Sequence, residues 1–320
     1  MHIVDVIKGD LAITHGSRST VSLPIELVDD IVHWLLATGR SFSSISAFSL
    51  VSHRYRQIAL RRYYGTLHVR SVRHWVRLCH IKGMSDWVRS LGASTTVFRY
   101  KLDVLAHFTA LRTLELDFSD DGLSTQSSRA TVLFRNMTAQ LRSMKLTHLP
   151  CIDLALLSLI STRFPTLITL ELSCTERLDE HCCWHCLEES STCCVHSPIP
   201  EAFATADILI FKICKALRPL DKLETLFLGI FLSDADVLVR HLERCAAIII
   251  PSPRTGYYSA PPFGPDKCSI CHAEHGPAVR ERERLATAMF RRLLPSVKAV
   301  KFSSWFAVDS ALMPVQNASR

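Results

Sequence analysis

No run in this chain of 320 residues approaches the roughly eighteen consecutive apolar residues that cross a bilayer. Stretches such as Leu154 to Ile160 and Ile248 to Ile250 are of core size. The segment Met1 to Thr20 sets Asp5, Lys8 and Asp10 among short apolar pieces, so no secretory signal is expected there. These absences predict a chain that works in the cytoplasm, the nucleus or both, with no membrane partner. Blocks of about five or six basic residues are also missing. The formal net charge of +7 is dispersed, which fits a solvated basic surface better than a nucleic-acid footprint. There is no Gly-rich phosphate loop, Walker-type Lys, His-Glu-x-x-His or nucleophile elbow. Asp120-Asp121 reads as a turn, and Asp179-Glu180 and Glu188-Glu189 as solvated acids. No catalytic residue is nominated, and the chain is expected not to be an enzyme.

What is present is the composition of a folded protein, 48% hydrophobic and 21% charged, long enough for one or two domains. Residues 23–64 read as three short helices. Pro24 fixes φ and has no N–H to donate, which suits a helix start. Leu27, Ile31 and Leu35 recur at spacing four, one apolar stripe. After a break at Gly39-Arg40-Ser41, a second helix is expected over Ser44 to Phe48 and a third from Ser52 toward Tyr63. So small a unit buries little surface alone and tends to lean on a partner or on the rest of its chain.

The pattern Leu23-Pro24-Ile25-Glu26-Leu27, an apolar helix, then Ser49-Leu50-Val51-Ser52, Tyr55, Ile58-Ala59 and Tyr63 resembles an F-box. The likeness covers roughly residues 20–65. It departs from the common form at Tyr55, where Trp is usual, and at Ser52, where Cys is usual. The resemblance implies docking onto a Skp-type adaptor through Leu23, Pro24, Leu27, Ile31, Leu50 and Val51, and through it onto a cullin scaffold. It implies the substrate-recognition subunit of a ubiquitin ligase, with an unidentified protein as substrate. A zinc-stapled interaction scaffold that binds the adaptor without driving degradation is the alternative.

Further along, an apolar-x-x-apolar-x-apolar unit recurs. It appears at Leu111, Leu114, Leu116; Leu141, Met144, Leu146; Leu167, Leu170, Leu172; Leu223, Leu226, Leu228; and Val297, Val300, Phe302. A period of about 30 residues marks stacked strand-plus-helix units, with the last positions of each unit alternating across a strand. Helical stripes fall between them, including Leu154, Leu157, Ile160 and Phe164, and Arg280 to Leu294. This alternation is similar to the leucine-rich-repeat region that often follows an F-box. The usual Asn or Cys of the repeat's turn is replaced by Ser119, Leu149, Thr175 and Phe231, so an irregular arc is expected. The expected fold class is therefore α/β: an amino-terminal three-helix F-box followed by an irregular leucine-rich-repeat-like solenoid. The expected division is an extension over 1–19, the F-box over 20–65, the repeat domain over 66–310 with inserts at 173–200 and 251–277, and a tail over 311–320.

Twelve cysteines in a reducing compartment call for metal or for burial rather than disulfides. Each insert carries a Cys-x-x-Cys, at Cys183 and Cys186 and at Cys268 and Cys271. Two such pairs make the four-thiolate set of one structural zinc. They can share it if both inserts leave the same sheet edge, which requires a strand at Ala246 to Ile250. A local site from Cys183, Cys186, Cys193 or Cys194, and His196 is the alternative, and reduced cysteines in loops remain a third reading.

Overall fold

The structure, a computed structural model, describes residues 23–39, 41–99, 104–174, 199, 203–233, 237–244 and 268–302. Two compact units divide the chain, Met1–Tyr63 and Tyr64–Arg320.

The first unit holds α1 (Ile25–Thr38), α2 (Ser43–Ser49) and α3 (His53–Tyr63). Pro24 takes the N-cap of α1, just ahead of the first helical residue, and its carbonyl accepts from the Val28 N–H. The three helices close on Val32, Ile45 and Ala59, with Leu35, Leu36, Phe48, Ile58 and Tyr63 packed around them. Tyr55 stacks on Phe48 with ring centroids 5.0 Å apart, and Phe42 meets Tyr63 edge-on at 5.6 Å. Arg62 on α3 pairs with Asp29 on α1 at 2.8 Å.

The second unit is built on seven parallel strands in sequence order: β1 (Thr66–Val69), β2 (Ser90–Ser94), β3 (Thr113–Asp117), β4 (Ser143–Leu149), β5 (Thr169–Cys174), β6 (Thr225–Gly229) and β7 (Ala299–Phe302). Alternation sets the faces. Leu67, Leu91, Leu114, Met144, Leu170, Leu226 and Val300 form one register row on the inner face. Val69, Ala93, Leu116, Leu146, Leu172, Leu228 and Phe302 form the next. Helices between the strands supply the other half of the core: α4 (Val72–Cys79), α5 (Met84–Trp87), α6 (Leu123–Phe134), α7 (Leu154–Arg163), α8 (Ala206–Leu217), α9 (Val237–Arg244) and α10 (Ser269–Leu293). Neighbours α6 and α7, α7 and α8, and α8 and α10 are in contact. Three of these helices start on a conventional cap, with Ser71, Asp153 and Thr205 side chains accepting from backbone N–H groups of the first turn. Phe134 and Phe164 pack edge to face across α6 and α7, 5.4 Å between centroids.

Several polar groups inside this core are satisfied by specific partners, whereas the buried Trp75 Nε1 has no hydrogen-bond partner among the described residues. The Gln126 side chain donates to the Cys151 carbonyl at 2.7 Å and accepts from the Cys151 N–H at 2.9 Å. Ser161 on α7 donates to the Ala216 carbonyl on α8 at 2.7 Å. Asp120 and Asp121 do lie in a turn, closed by the Asp121 N–H donating to the Phe118 carbonyl at 2.8 Å, and the Asp121 carboxylate is buried, where it accepts from Thr95 and pairs with Arg129 at 3.4 Å.

The finding is thus an α/β fold on one seven-stranded, all-parallel sheet. It corrects the expected architecture, a three-helix F-box followed by an irregular leucine-rich-repeat-like solenoid. The sequence period has another physical source. Parallel strands that share one core must each offer it the same pair of inward positions, whether or not the units between them repeat. Those units do not repeat: one connection runs from Ser94 to Thr113, another from Gly229 to Ala299. The segment read as a Pro- and Gly-rich loop up to Pro277 is also different, because α10 begins at Ser269 and passes through Pro277. Proline removes one backbone donor but leaves the helix continuous when packing holds both sides. Gly276 and Val279, flanking it, are buried.

Candidate functional site

Two places in the molecule concentrate chemistry or unpaired surface. The first is in the helical unit. Among the residues picked out from the sequence, Leu23 is 41% exposed, Leu27 50%, Ile31 40%, Leu50 79% and Val51 66%. Pro24 is exposed as well. Successive residues of a helix advance about 100°, so Leu27, Ile31 and Trp34 of α1 share one line. Val28 and Val32 lie on another line and are fully buried. The helix therefore has two apolar faces and fills only one of them within its own unit. Trp34, 69% exposed, was missed from sequence although it sits three residues after Ile31. Leu50 and Val51 lie in the turn between α2 and α3, with their N–H groups tied back to Ala47 and Phe48 carbonyls.

The second place lies where α9 meets the start of α10. Cys268 is the N-cap residue of α10 and Cys271 is in its first turn, so the Cys-x-x-Cys folds both sulfurs to the same end of the helix. Cys at an N-cap is a poor capping residue, and the Cys268 side chain makes no capping hydrogen bond. His241, on α9, is fully buried, and its Nδ1 lies 3.3 Å from Cys271 Sγ. The ligand atoms of His241, Cys268 and Cys271 all lie within 4.8 Å of one another. This is a group able to hold a metal ion. It is set in a small apolar cluster with Phe231, Val237 and Val279. Arg240 and Arg244 of α9 reach Glu274 of α10 at its rim.

Two of these three residues are legible in the sequence. Cys268 and Cys271 were expected as ligands; the expected partners Cys183 and Cys186 lie outside the described residues, as do Cys193, Cys194 and His196 of the alternative site and the strand expected at Ala246 to Ile250. His241 was not expected. Its only signal was its place four residues after Val237 on a short amphipathic helix, which reads as ordinary packing.

A third feature is the outer face of the sheet. One register row carries His68, Gly92, Glu115, Lys145, Glu171, Phe227 and Lys301. Lys145 pairs with Glu115 at 2.9 Å, and that hydrogen bond raises the lysine above its usual 10.5. Among the described strands the order does not reverse, so these strands form no switch-point crevice of the kind that houses ligands in many open α/β folds.

Comparison of the chain with protein families, with curated proteins and with solved structures finds no match. Among the described residues, no helix is long and apolar enough to cross a membrane.

Proposed function

We propose that this chain is a substrate receptor of a Skp–cullin–F-box type ubiquitin ligase. In this reading residues 23–63 dock on a Skp-type adaptor and the sheet unit holds a protein target. One observation carries it: the residues of the F-box-like pattern expected at the adaptor, Leu23, Leu27, Ile31, Leu50 and Val51, are all exposed, together with Ile25, Trp34 and Phe42 of the same unit. A soluble protein rarely leaves such a set uncovered without a partner for it. The mixed-charge row of the sheet, with Phe227 between Glu171 and Lys301, offers the second surface. Mechanism is then proximity: a target held beside a ubiquitin-charged enzyme presents its lysines at high effective concentration. The chain itself is read as non-catalytic, with one structural zinc in the cysteine–histidine group and a place in the cytoplasm or nucleus.

The direct test is capture of a purified Skp-type adaptor. Leu23→Ala combined with Pro24→Ala should capture roughly thirtyfold less, the equivalent of about 2 kcal/mol at a central anchor. Equal capture by an equally folded variant overturns the proposal. The scaffold alternative is favoured by the metal-binding group, which staples without catalysing. Adaptor capture with no change in the lifetime of any bound target would select it.

A further inference from the structure

The cluster at the start of α10 goes beyond adaptor docking and does not depend on it. We infer that His241, Cys268 and Cys271 are three ligands of one zinc ion that clamps α9 to the first turn of α10.

The geometry is that of ligands around an ion. A tetrahedral zinc with bonds of about 2.3 Å to sulfur and about 2.0–2.1 Å to nitrogen has N···S edges of roughly 3.5 Å and S···S edges of roughly 3.8 Å. The His241 Nδ1 to Cys271 Sγ distance of 3.3 Å is close to such an edge, and the 4.8 Å span of the three ligand atoms needs little closing. The donor types fit a borderline-soft ion: two thiolates and an imidazole suit zinc and exclude magnesium or calcium, which take oxygen.

The placement fits as well. Cys268 occupies an N-cap where Ser, Thr or Asp would serve the helix better, and makes no cap bond. A thiolate there is stabilised by the helix N-terminus, the ordinary setting of a metal-ligating cysteine. His241 and Val237 are four residues apart on α9, so one short helical face delivers both to the cluster. On α10, Cys271, His275 and Val279 continue the same line, all three buried.

There is also something for the ion to do. The far half of α10 is anchored in the main core by Ala286, Phe290 and Leu294. Its first turns belong to a separate cluster, in which, among the described residues, Phe231, Val237 and Val279 join the two cysteines. A metal ion bound there would tie α9 directly to the start of α10, because coordination free energy adds to folding free energy. The neighbouring Arg240 and Arg244 to Glu274 ion pairs are partly exposed and contribute little.

The experiment is metal analysis of the full chain purified without chelator, with His241→Ala and Cys271→Ser measured alongside. The expected result is bound zinc in the wild type and one equivalent fewer in each variant. A zinc-free wild type, or variants that keep the full zinc content of the wild type, overturns the inference; the latter result would assign the ion to other cysteines. Because a variant can lose metal simply by unfolding, the wild type carries a second readout. Cysteine alkylation, mapped by mass spectrometry, should spare Cys268 and Cys271 until a chelator is added. Cys214, in the main core with its thiol pushed up to about 12 by burial, should be spared with or without chelator. If Cys268 and Cys271 behave like Cys214, or react from the start, they are not ligands. Adaptor capture by the same zinc-free sample reports on the helical unit, so failure of one proposal is distinguishable from failure of the other.

Discussion

In the sheet unit Leu114, Leu116, Leu170, Leu172, Leu226 and Leu228 are fully buried, whereas in the helical unit Leu23, Leu27 and Leu50 are 41%, 50% and 79% exposed. Both sets recur with regular spacing, and both look like core by composition. The difference is what each unit can close over. The interior strands β3, β5 and β6 give each of these six leucines neighbouring strands on both sides. Three short helices around Val32, Ile45 and Ala59 have room for one face of α1 only. An apolar stripe is thus a statement about burial in the working assembly, and under the proposed function that assembly gives the α1 stripe a partner.

The largest expected effect that sharpens this contrast is in the sheet. Leu170→Ala, on β5 with strands on both sides, should lose about 2–5 kcal/mol of stability. Hydrogen exchange of the β4, β5 and β6 amides in urea is the measurement. A loss below about 1 kcal/mol would mean that the sheet core is looser than its burial implies.

The same change in the helical unit should behave in the opposite way. Leu27→Ala or Ile31→Ala should shift the unit's own stability by no more than about 0.5 kcal/mol. Each should weaken adaptor capture by up to about thirtyfold, or about 2 kcal/mol. Thermal melts and adaptor titrations on the same samples separate the two; destabilisation without loss of capture would make the stripe ordinary core.

A smaller effect tests how tightly the sheet is drawn together. A Cβ on Gly229 of β6 would stand 2.6 Å from Ser173 Cα and 2.9 Å from the Leu172 carbonyl oxygen, backbone atoms that cannot swing aside. Gly229→Ala should cost about 1–3 kcal/mol. Urea denaturation checks it, and a neutral result would show that the β5–β6 spacing is free to widen.

The smallest effect is on the outer face. Lys145→Met removes the exposed pair with Glu115 and should cost only about 0.2–1 kcal/mol. The sign with pH follows from the raised lysine. Its contribution is complete below the ordinary lysine value of 10.5 and fades as pH climbs through the raised folded-state value. Stability curves of wild type and variant should therefore converge in strong alkali and stay parallel below it.

Much of the fold was legible because alternation and helical spacing are local. The inward pairs Leu114 and Leu116, Leu170 and Leu172, and Leu226 and Leu228 announce strands, and Leu157, Ile160 and Phe164 announce the face of α7. The arrangement of those strands was read too specifically. Repeating inward positions are required by any parallel sheet over a common core, so they did not decide between a solenoid of like units and one α/β sheet with unlike connections. Gln126 and Asp121 were illegible for a related reason: a polar residue reads as surface until the backbone or cation that satisfies it, Cys151 or Arg129, is in place.

The sequence by itself determined the strands of the recurring apolar unit, which of their positions face inward, and that Cys268 and Cys271 stand at the spacing of metal ligands. Those properties depend on neighbours a few residues away, and chain geometry fixes them. Tertiary structure alone decided that seven strands join one parallel sheet, that Leu27 and Ile31 stay uncovered while Val28 and Val32 are buried, and that His241 closes on the cysteine pair. His241 and Cys271 are far apart along the chain, and nothing local to either encodes their approach. Only the packing of α9 against the first turns of α10 brings an imidazole to 3.3 Å from a sulfur.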